Sequence, residues 1–141
     1  LRLIPRPTGP FLVINGDILT RVPYQTMLRF HRKHGATLTV GIRAHEVEVP
    51  FGVVECDDVR VTALTEKPRM RLLVNAGIYL LEPSAWDYIP AGPHFDMTDL
   101  IRRRLEEGQV VAGFPIIESW QDVGRHEDYR QAQADVRDGR F

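Results

Sequence analysis

An α/β fold with a Rossmann-like mixed sheet flanked by helices follows from three features of the sequence. Phe11-Leu12-Val13-Ile14 are four apolar residues in a row, the pattern of a parallel strand buried on both faces. A helical stretch from about Val22 to His34 and then a β-rich run from Ala36 to Ala44 follow it, and a helix between strands is the signature of a parallel sheet. Val53 to Cys56 and, after a turn at Asp57-Asp58, the alternating apolar and polar residues of Arg60 to Lys67 instead look like an antiparallel hairpin, so the sheet is mixed. No internal repeat, low-complexity tract or linker interrupts the chain, and residues 1–141 read as a single domain.

Each element has its own local signal. Pro23 suits a first helical turn, and Tyr24, Met27, Leu28 and His31 fall on one face at i, i+3, i+4, i+7, with Gly35 closing the helix. His45 to Pro50 is polar and reads as a loop. Val53 to Cys56, a turn at Asp57-Asp58 and Arg60 to Lys67 make the hairpin, which Pro68 stops. Arg69 to Leu73 connects to a strong strand, Val74 to Leu81. Pro83 to Ile89 is a short helix with Trp86 and Ile89 inward. Asp96 can cap a helix from Met97 to Glu107, with Met97, Leu100, Ile101 and Leu105 as its buried face and Arg102 to Arg104 solvated. Val110 to Ile117 is the last long strand, Trp120 to Gly124 a short strand or turn. Arg125 to Asp138 is a closing helix with Tyr129, Ala132 and Val136 on one face.

Composition removes several functional classes. The 43% hydrophobic content is ordinary for a globular protein, and no apolar run approaches the roughly 18 residues of a membrane span. A formal net charge of −1 with no basic block gives no footprint for nucleic acid. Cys56 is the only cysteine, so no internal disulfide exists; with no signal peptide in view, a cytoplasmic protein is expected. Lys33 and Lys67 are the only lysines among 18 basic residues, so a lysine stands out where an arginine would serve as a plain cation. The opening Leu1-Arg2-Leu3-Ile4 reads as the tail of an element already under way.

Chemistry-bearing residues gather at the strand ends. Asp17, after Phe11 to Gly16, and Asp122, in Trp120-Gln121-Asp122-Val123-Gly124, both follow apolar strands and both sit beside glycine, where a ligand can approach the backbone. Their hard oxygens suit Mg²⁺, which takes one or two carboxylates and draws its remaining ligands from phosphate and water. The alternative for Asp17 is an Asn-Gly turn with a solvated carboxylate, and for Asp122 a turn residue bonding its own backbone. Lys67, in Glu66-Lys67-Pro68, is a point-like cation able to hold a phosphate, and Glu66 can accept from hydroxyls; a surface ion pair is the competing explanation. Asn75-Ala76-Gly77 leaves room beside a buried strand, or marks tight sheet packing. Gly52 offers a backbone N–H, or a turn. The five histidines do not cluster; His31 and His34, three apart on a helix, lack a third ligand, and a core histidine explains His31 better.

In this order, Phe11 to Asp17, Phe51-Gly52, Glu66-Lys67-Pro68, Val74-Asn75-Ala76-Gly77-Ile78-Tyr79, Phe95-Asp96-Met97 and Trp120 to Gly124 resemble the motifs of the sugar-phosphate nucleotidyltransferases, the nucleotide-sugar pyrophosphorylases. The resemblance spans nearly the whole chain. It implies a fold of the nucleotide-diphospho-sugar transferase type and the joining of a nucleoside triphosphate to a sugar 1-phosphate with release of pyrophosphate. It also implies Mg²⁺ on Asp17 and Asp122, the sugar phosphate on Lys67, sugar hydroxyls on Glu66, and a sugar pocket lined by Gly52 and Asn75. It tilts the substrates toward guanosine and a mannose-like or heptose sugar.

The chain departs from the family at its start. The Gly-rich loop that cradles the triphosphate has no counterpart in residues 1 to 10. The expectation is therefore an N-terminally truncated fold, the C-terminal portion of a nucleotidyltransferase domain, inactive by itself and self-associating through the strand edge left open at Phe11 to Ile14. Two alternatives stand beside it. A metal-dependent glycosyltransferase of similar fold would carry Asp-X-Asp, where this chain has Asn15-Gly16-Asp17. A non-catalytic module that binds sugar phosphate would release no pyrophosphate.

Overall fold

The computed structural model describes residues 5–90, 92, 94–139 and 141, so the opening segment 1–4 lies outside the described residues. The chain forms two compact units, residues 1–42 with 75–141, and residues 43–74. No helix among the described residues is long and apolar enough to cross a membrane.

The first unit is built on a four-stranded mixed sheet. In chain order its parts are β1 (Phe11–Ile14), β2 (Ile18–Thr20), α1 (Tyr24–Lys33), β3 (Leu38–Glu48) and β6 (Arg69–Leu81), the last residues of β3 and the first of β6 falling in the second unit. There follow a 3₁₀ turn (Pro83–Tyr88), α2 (Met97–Glu106), β7 (Val111–Pro115), β8 (Trp120–Asp122) and α3 (His126–Arg137). The strand order is β1-β6-β3-β7, with β1 antiparallel to β6 and β3 parallel to β7; β2 and β8 form a separate antiparallel pair.

Alternation along β6 divides the core. Tyr79 and Leu81 pack with Leu38, Trp86 and Leu100 in one cluster, while Ile78 and Leu80 pack with Met27, Phe114 and Ile116 in another. A strand feeding both layers must be apolar on both faces, which is why Val74 to Leu81 reads so strongly in the sequence.

Strand β1 differs from expectation. It is neither parallel nor buried on both faces. Phe11 and Val13 pack toward the first cluster, with the Phe11 ring edge-on to Trp86 at 6.4 Å, whereas Leu12 and Ile14 are each 37% exposed. Among the described residues β6 is its sole strand neighbour, so its other edge is open.

Two expected connections are strand. β3 runs on through His45 to Glu48, and β6 begins at Arg69 rather than Val74. Their polar residues face solvent, which a paired strand tolerates. At their far end the Val49 N–H donates to the Pro68 carbonyl at 3.0 Å, and the Arg69 Nε lies 3.5 Å from Glu48 Oε2. These residues belong to the second unit, whose centre is the hairpin of β4 (Val53–Asp57) and β5 (Arg60–Thr65). Its register shifts at Glu55/Cys56, where the Thr62 hydroxyl donates to the Glu55 carbonyl at 3.1 Å, and Asp58 takes a left-handed φ of 53° at the turn. No residue from Arg43 to Val74 is buried, and Val59, Val61 and Leu64 are largely exposed.

The faces of two helices also differ from expectation. On α2 the buried positions are Leu100 and Arg104, four apart; Leu105, a further 100° round, is exposed. Arg104 is 3% exposed, with its guanidinium 4.4 Å from the Tyr88 ring centroid and Nη1 3.5 Å from Glu107 Oε2. On α3 only Ala132 is buried, while Tyr129 and Val136 are about half exposed. His31 and His34 do not converge. His31 is fully buried, with Nδ1 2.8 Å from Thr39 Oγ1 and Nε2 donating to Glu82 Oε1 at 3.1 Å, whereas His34 Nδ1 donates to the Phe30 carbonyl at 2.8 Å. His31 is thus a core histidine that ties α1 to β3 and to the end of β6.

Candidate active site

The β2/β8 pair brings Asp17 and Asp122 together from opposite ends of the sequence. Ile18 pairs with Asp122, and the Val123 N–H donates to the Asp17 carbonyl at 2.8 Å. Antiparallel pairing therefore sets Asp17 beside the residue that follows Asp122. The side chains converge on Gly124: a Cβ there would lie 3.1 Å from Asp122 Oδ1 and 3.3 Å from Asp17 Oδ2. Both carboxylates are solvent-exposed, and Asp122 Oδ1 accepts the Gly124 N–H at 3.0 Å.

This donor set fits a magnesium ion. Two carboxylates flank a gap kept open by glycine. An all-oxygen pair that leaves positions for phosphate and water is what Mg²⁺ prefers over the fuller ligand sets of Ca²⁺ or Zn²⁺.

Asn75 stands in the same unit, at the point where β6 enters the sheet. Its Oδ1 accepts the Gly77 N–H at 2.9 Å and its Nδ2 donates to the Tyr79 hydroxyl at 2.9 Å. Gly77 adopts φ +70°, its carbonyl accepts the Asn15 N–H at 2.9 Å, and a Cβ on it would sit 2.8 Å from Asn15 Nδ2. Asn75 is thus part of a local brace that positions the Asn15-Gly16-Asp17 turn, and Tyr79 carries its polarity inward. The buried Tyr79 and Asn15 border a recess of about 320 Å³ whose other wall is the start of α2, from Phe95 to Thr98. Trp120 Nε1 donates to the Ala76 carbonyl at 2.8 Å and so ties β8 to this same stretch of β6.

Sequence reasoning missed Asn15, Tyr79 and Trp120 as parts of this arrangement. A signal existed for Tyr79, because Asn75, Gly77 and Tyr79 alternate on one face of a strand. None existed for Trp120, whose role depends on a contact between residues 44 apart in the chain.

The other candidates lie in the second unit. Lys67 is not at the end of β5 as expected; it lies in a bend after Thr65, at a left-handed φ of 44° immediately before Pro68. A residue before proline is normally driven to extended backbone, so this conformation stores strain of about 1–3 kcal/mol. Gly52 faces Glu66: a Cβ on Gly52 would lie 2.9 Å from Glu66 Oε2 and 3.3 Å from Leu64 Cδ1. Glu66 and Lys67 are both exposed and form no hydrogen bond or ion pair among the described residues.

A family model described as "Nucleotidyl transferase" matches residues 2–139. A probable mannose-1-phosphate guanylyltransferase 2 from Oryza sativa subsp. japonica is 31% identical over 136 residues, covering 91% of this chain and 36% of the relative. Mannose-1-phosphate guanylyltransferase 1 from Arabidopsis thaliana is 32% identical over 136 residues, with the same shares of 91% and 36%. The chain thus spans little more than a third of the length of these relatives. A crystal structure from Bacillus anthracis, named as a glucose-1-phosphate thymidylyltransferase, shares the fold, with a TM-score of 0.66, 23% identity, and coverage of 94% of this chain and 56% of that one. The model match over nearly every residue, with relatives above 30% identity along the same span, makes this chain a member of the nucleotidyl transferase family.

Proposed function

We propose that the chain contributes the metal-binding and sugar-phosphate-binding groups of an enzyme that joins a nucleoside triphosphate to a sugar 1-phosphate and releases pyrophosphate. The observation that supports this best is the convergence of the Asp17 and Asp122 carboxylates on the gap beside Gly124. The names of the relatives favour guanosine and mannose 1-phosphate as the substrate pair.

In this reading the attacking atom is a phosphate oxygen of the sugar 1-phosphate. It forms a bond to the α-phosphorus as the bridging oxygen to the β-phosphorus leaves with pyrophosphate. The attacking oxygen is already anionic, so the reaction asks for positioning and charge neutralisation more than for a general base. Mg²⁺, when bound, supplies that neutralisation at the transferring phosphate. Asp17 and Asp122 would hold it, Lys67 would fix the sugar phosphate through its ammonium, and Glu66 would accept from sugar hydroxyls across the space that Gly52 leaves open. Asn75 would act on the sugar pocket through Tyr79.

Two further properties belong to the same reading. The open edge of β1, with Leu12 and Ile14 exposed, favours self-association. The single cysteine, exposed and unpaired, suits a reducing compartment, and we place the chain in the cytoplasm.

The test is pyrophosphate release with Mg²⁺, a panel of nucleoside triphosphates and a panel of sugar 1-phosphates, using the chain expressed with all coding sequence contiguous with it. Release that requires all three components supports the reading. Sugar-phosphate binding without release across both panels overturns it in favour of a non-catalytic binding module.

A further inference from the structure

Beside the residues that carry the carboxylates, a groove of about 470 Å³ runs along α3. Its apolar lining includes Ile18, Leu19, Val123 and Val136, and Gly16 also lines it. Gly16, Ile18 and Val123 are immediate neighbours of Asp17 and Asp122, so the groove and the carboxylate pair share these stretches of backbone. The volume falls in the range of small-molecule sites, which are mostly apolar with a few convergent polar groups.

Here the polar groups come from one helix. Tyr129, Gln133 and Arg137 lie at i, i+4 and i+8 on α3 and all line the groove. At 1.5 Å per residue they are spaced about 6 Å apart, so ring and guanidinium start about 12 Å from one another. Among the described residues none of these three side chains makes a hydrogen bond, ion pair or ring contact. All three are exposed and face solvent, unlike Gln131, whose amide donates to Asp135 at 2.9 Å.

We propose that this groove binds a nucleoside phosphate, separately from the carboxylate site. The order along the stripe is the order of the ligand: an aromatic face for a base, an amide with donor and acceptor for the base edge or ribose, and a guanidinium for the phosphate. The apolar walls would flank the base, and among the described residues Arg137 is the one ionic side chain lining the groove, so one anionic end of the ligand is matched by one cation. The site needs no metal. Its occupant would press on Gly16, Ile18 and Val123, the residues that set the spacing of Asp17 and Asp122.

The experiment is isothermal titration of the chain with AMP, GMP and UMP in EDTA, with inorganic phosphate as the control. Saturable binding of at least one nucleotide is expected. It should weaken at least tenfold in Tyr129→Ala and in Arg137→Gln, both checked for native circular dichroism, and stay unchanged in Asp122→Asn. The proposal is overturned by absence of saturable binding up to millimolar nucleotide, or by inorganic phosphate binding as tightly as the nucleotides. Binding lost in Asp122→Asn and kept in Arg137→Gln also overturns it, since the nucleotide then occupies the carboxylate site. None of these outcomes depends on pyrophosphate release, so the groove and the proposed activity fail independently.

Discussion

Asp17 and Asp122 meet at a glycine: their nearest carboxylate oxygens lie 3.3 Å and 3.1 Å from the point a Cβ on Gly124 would occupy. Gly124→Ala therefore crowds both carboxylates without touching the core. We expect affinity for Mg²⁺ to fall about tenfold or more, in the range seen when the supports of a metal site are disturbed, with the melting temperature nearly unchanged. Metal titration by calorimetry beside a thermal melt checks this; unchanged metal affinity would show that the gap does not serve a cation.

Asp17→Asn and Asp122→Asn keep shape and remove charge. In the enzyme each should lower turnover about 100-fold or more, with stability held within about 0.5 kcal/mol because both side chains are exposed. Turnover of Asp122→Asn at the level of the unmodified enzyme would take that residue out of the site.

Lys67 couples strain to charge. Lys67→Ala removes the ammonium but keeps a Cβ in the left-handed region; Lys67→Gly removes both. The glycine variant should be about 1 kcal/mol more stable than the alanine variant in urea denaturation. Both should raise the KM for sugar 1-phosphate far more than the KM for nucleotide. Equal effects on the two KM values would mean that Lys67 does not contact the sugar phosphate.

Gly77 is constrained twice, by φ +70° and by the Asn15 side chain 2.8 Å from its missing Cβ. Gly77→Ala should cost about 1–3 kcal/mol of stability and disturb the turn that carries Asp17. A variant as stable as the parent would show that the brace from Asn75 to Asn15 is loose.

The open edge of β1 predicts association. Sedimentation velocity should show a dimer or larger species that shifts toward monomer in Leu12→Lys, since an exposed lysine on an edge strand opposes strand pairing. A clean monomer at all concentrations would sink this expectation.

The parts of the fold that were legible in the sequence are those where periodicity and burial coincide. Val74 to Leu81 is apolar throughout because it feeds two core clusters, and α1 shows its face because Met27 and His31 are buried. Legibility failed where context decides. The apolar run of β1 is compatible with a buried parallel strand, but among the described residues only its Phe11 and Val13 face packs on a core cluster, which leaves Leu12 and Ile14 partly exposed. Arg104 looks solvated in Arg102-Arg103-Arg104, yet it falls one turn after Leu100 and lays its guanidinium over Tyr88. Of the candidate site, the carboxylate pair was visible as two motifs, whereas its meeting at Gly124 and the brace through Asn15 and Tyr79 depend on strand register.

The absence of any buried residue between Arg43 and Val74 bears on how a substrate would be gripped. A two-stranded hairpin with no interior of its own is marginal in water, and its opening free energy lies near the bottom of the range within a protein. Glu66 and Lys67 ride on that segment. Part of the interaction energy of a sugar phosphate with them would go into ordering the backbone that presents them. Amide hydrogen exchange would register this as protection gained across the hairpin on ligand binding, against a nearly constant background in β6 and α1, and the observed affinity would understate the strength of the contacts made.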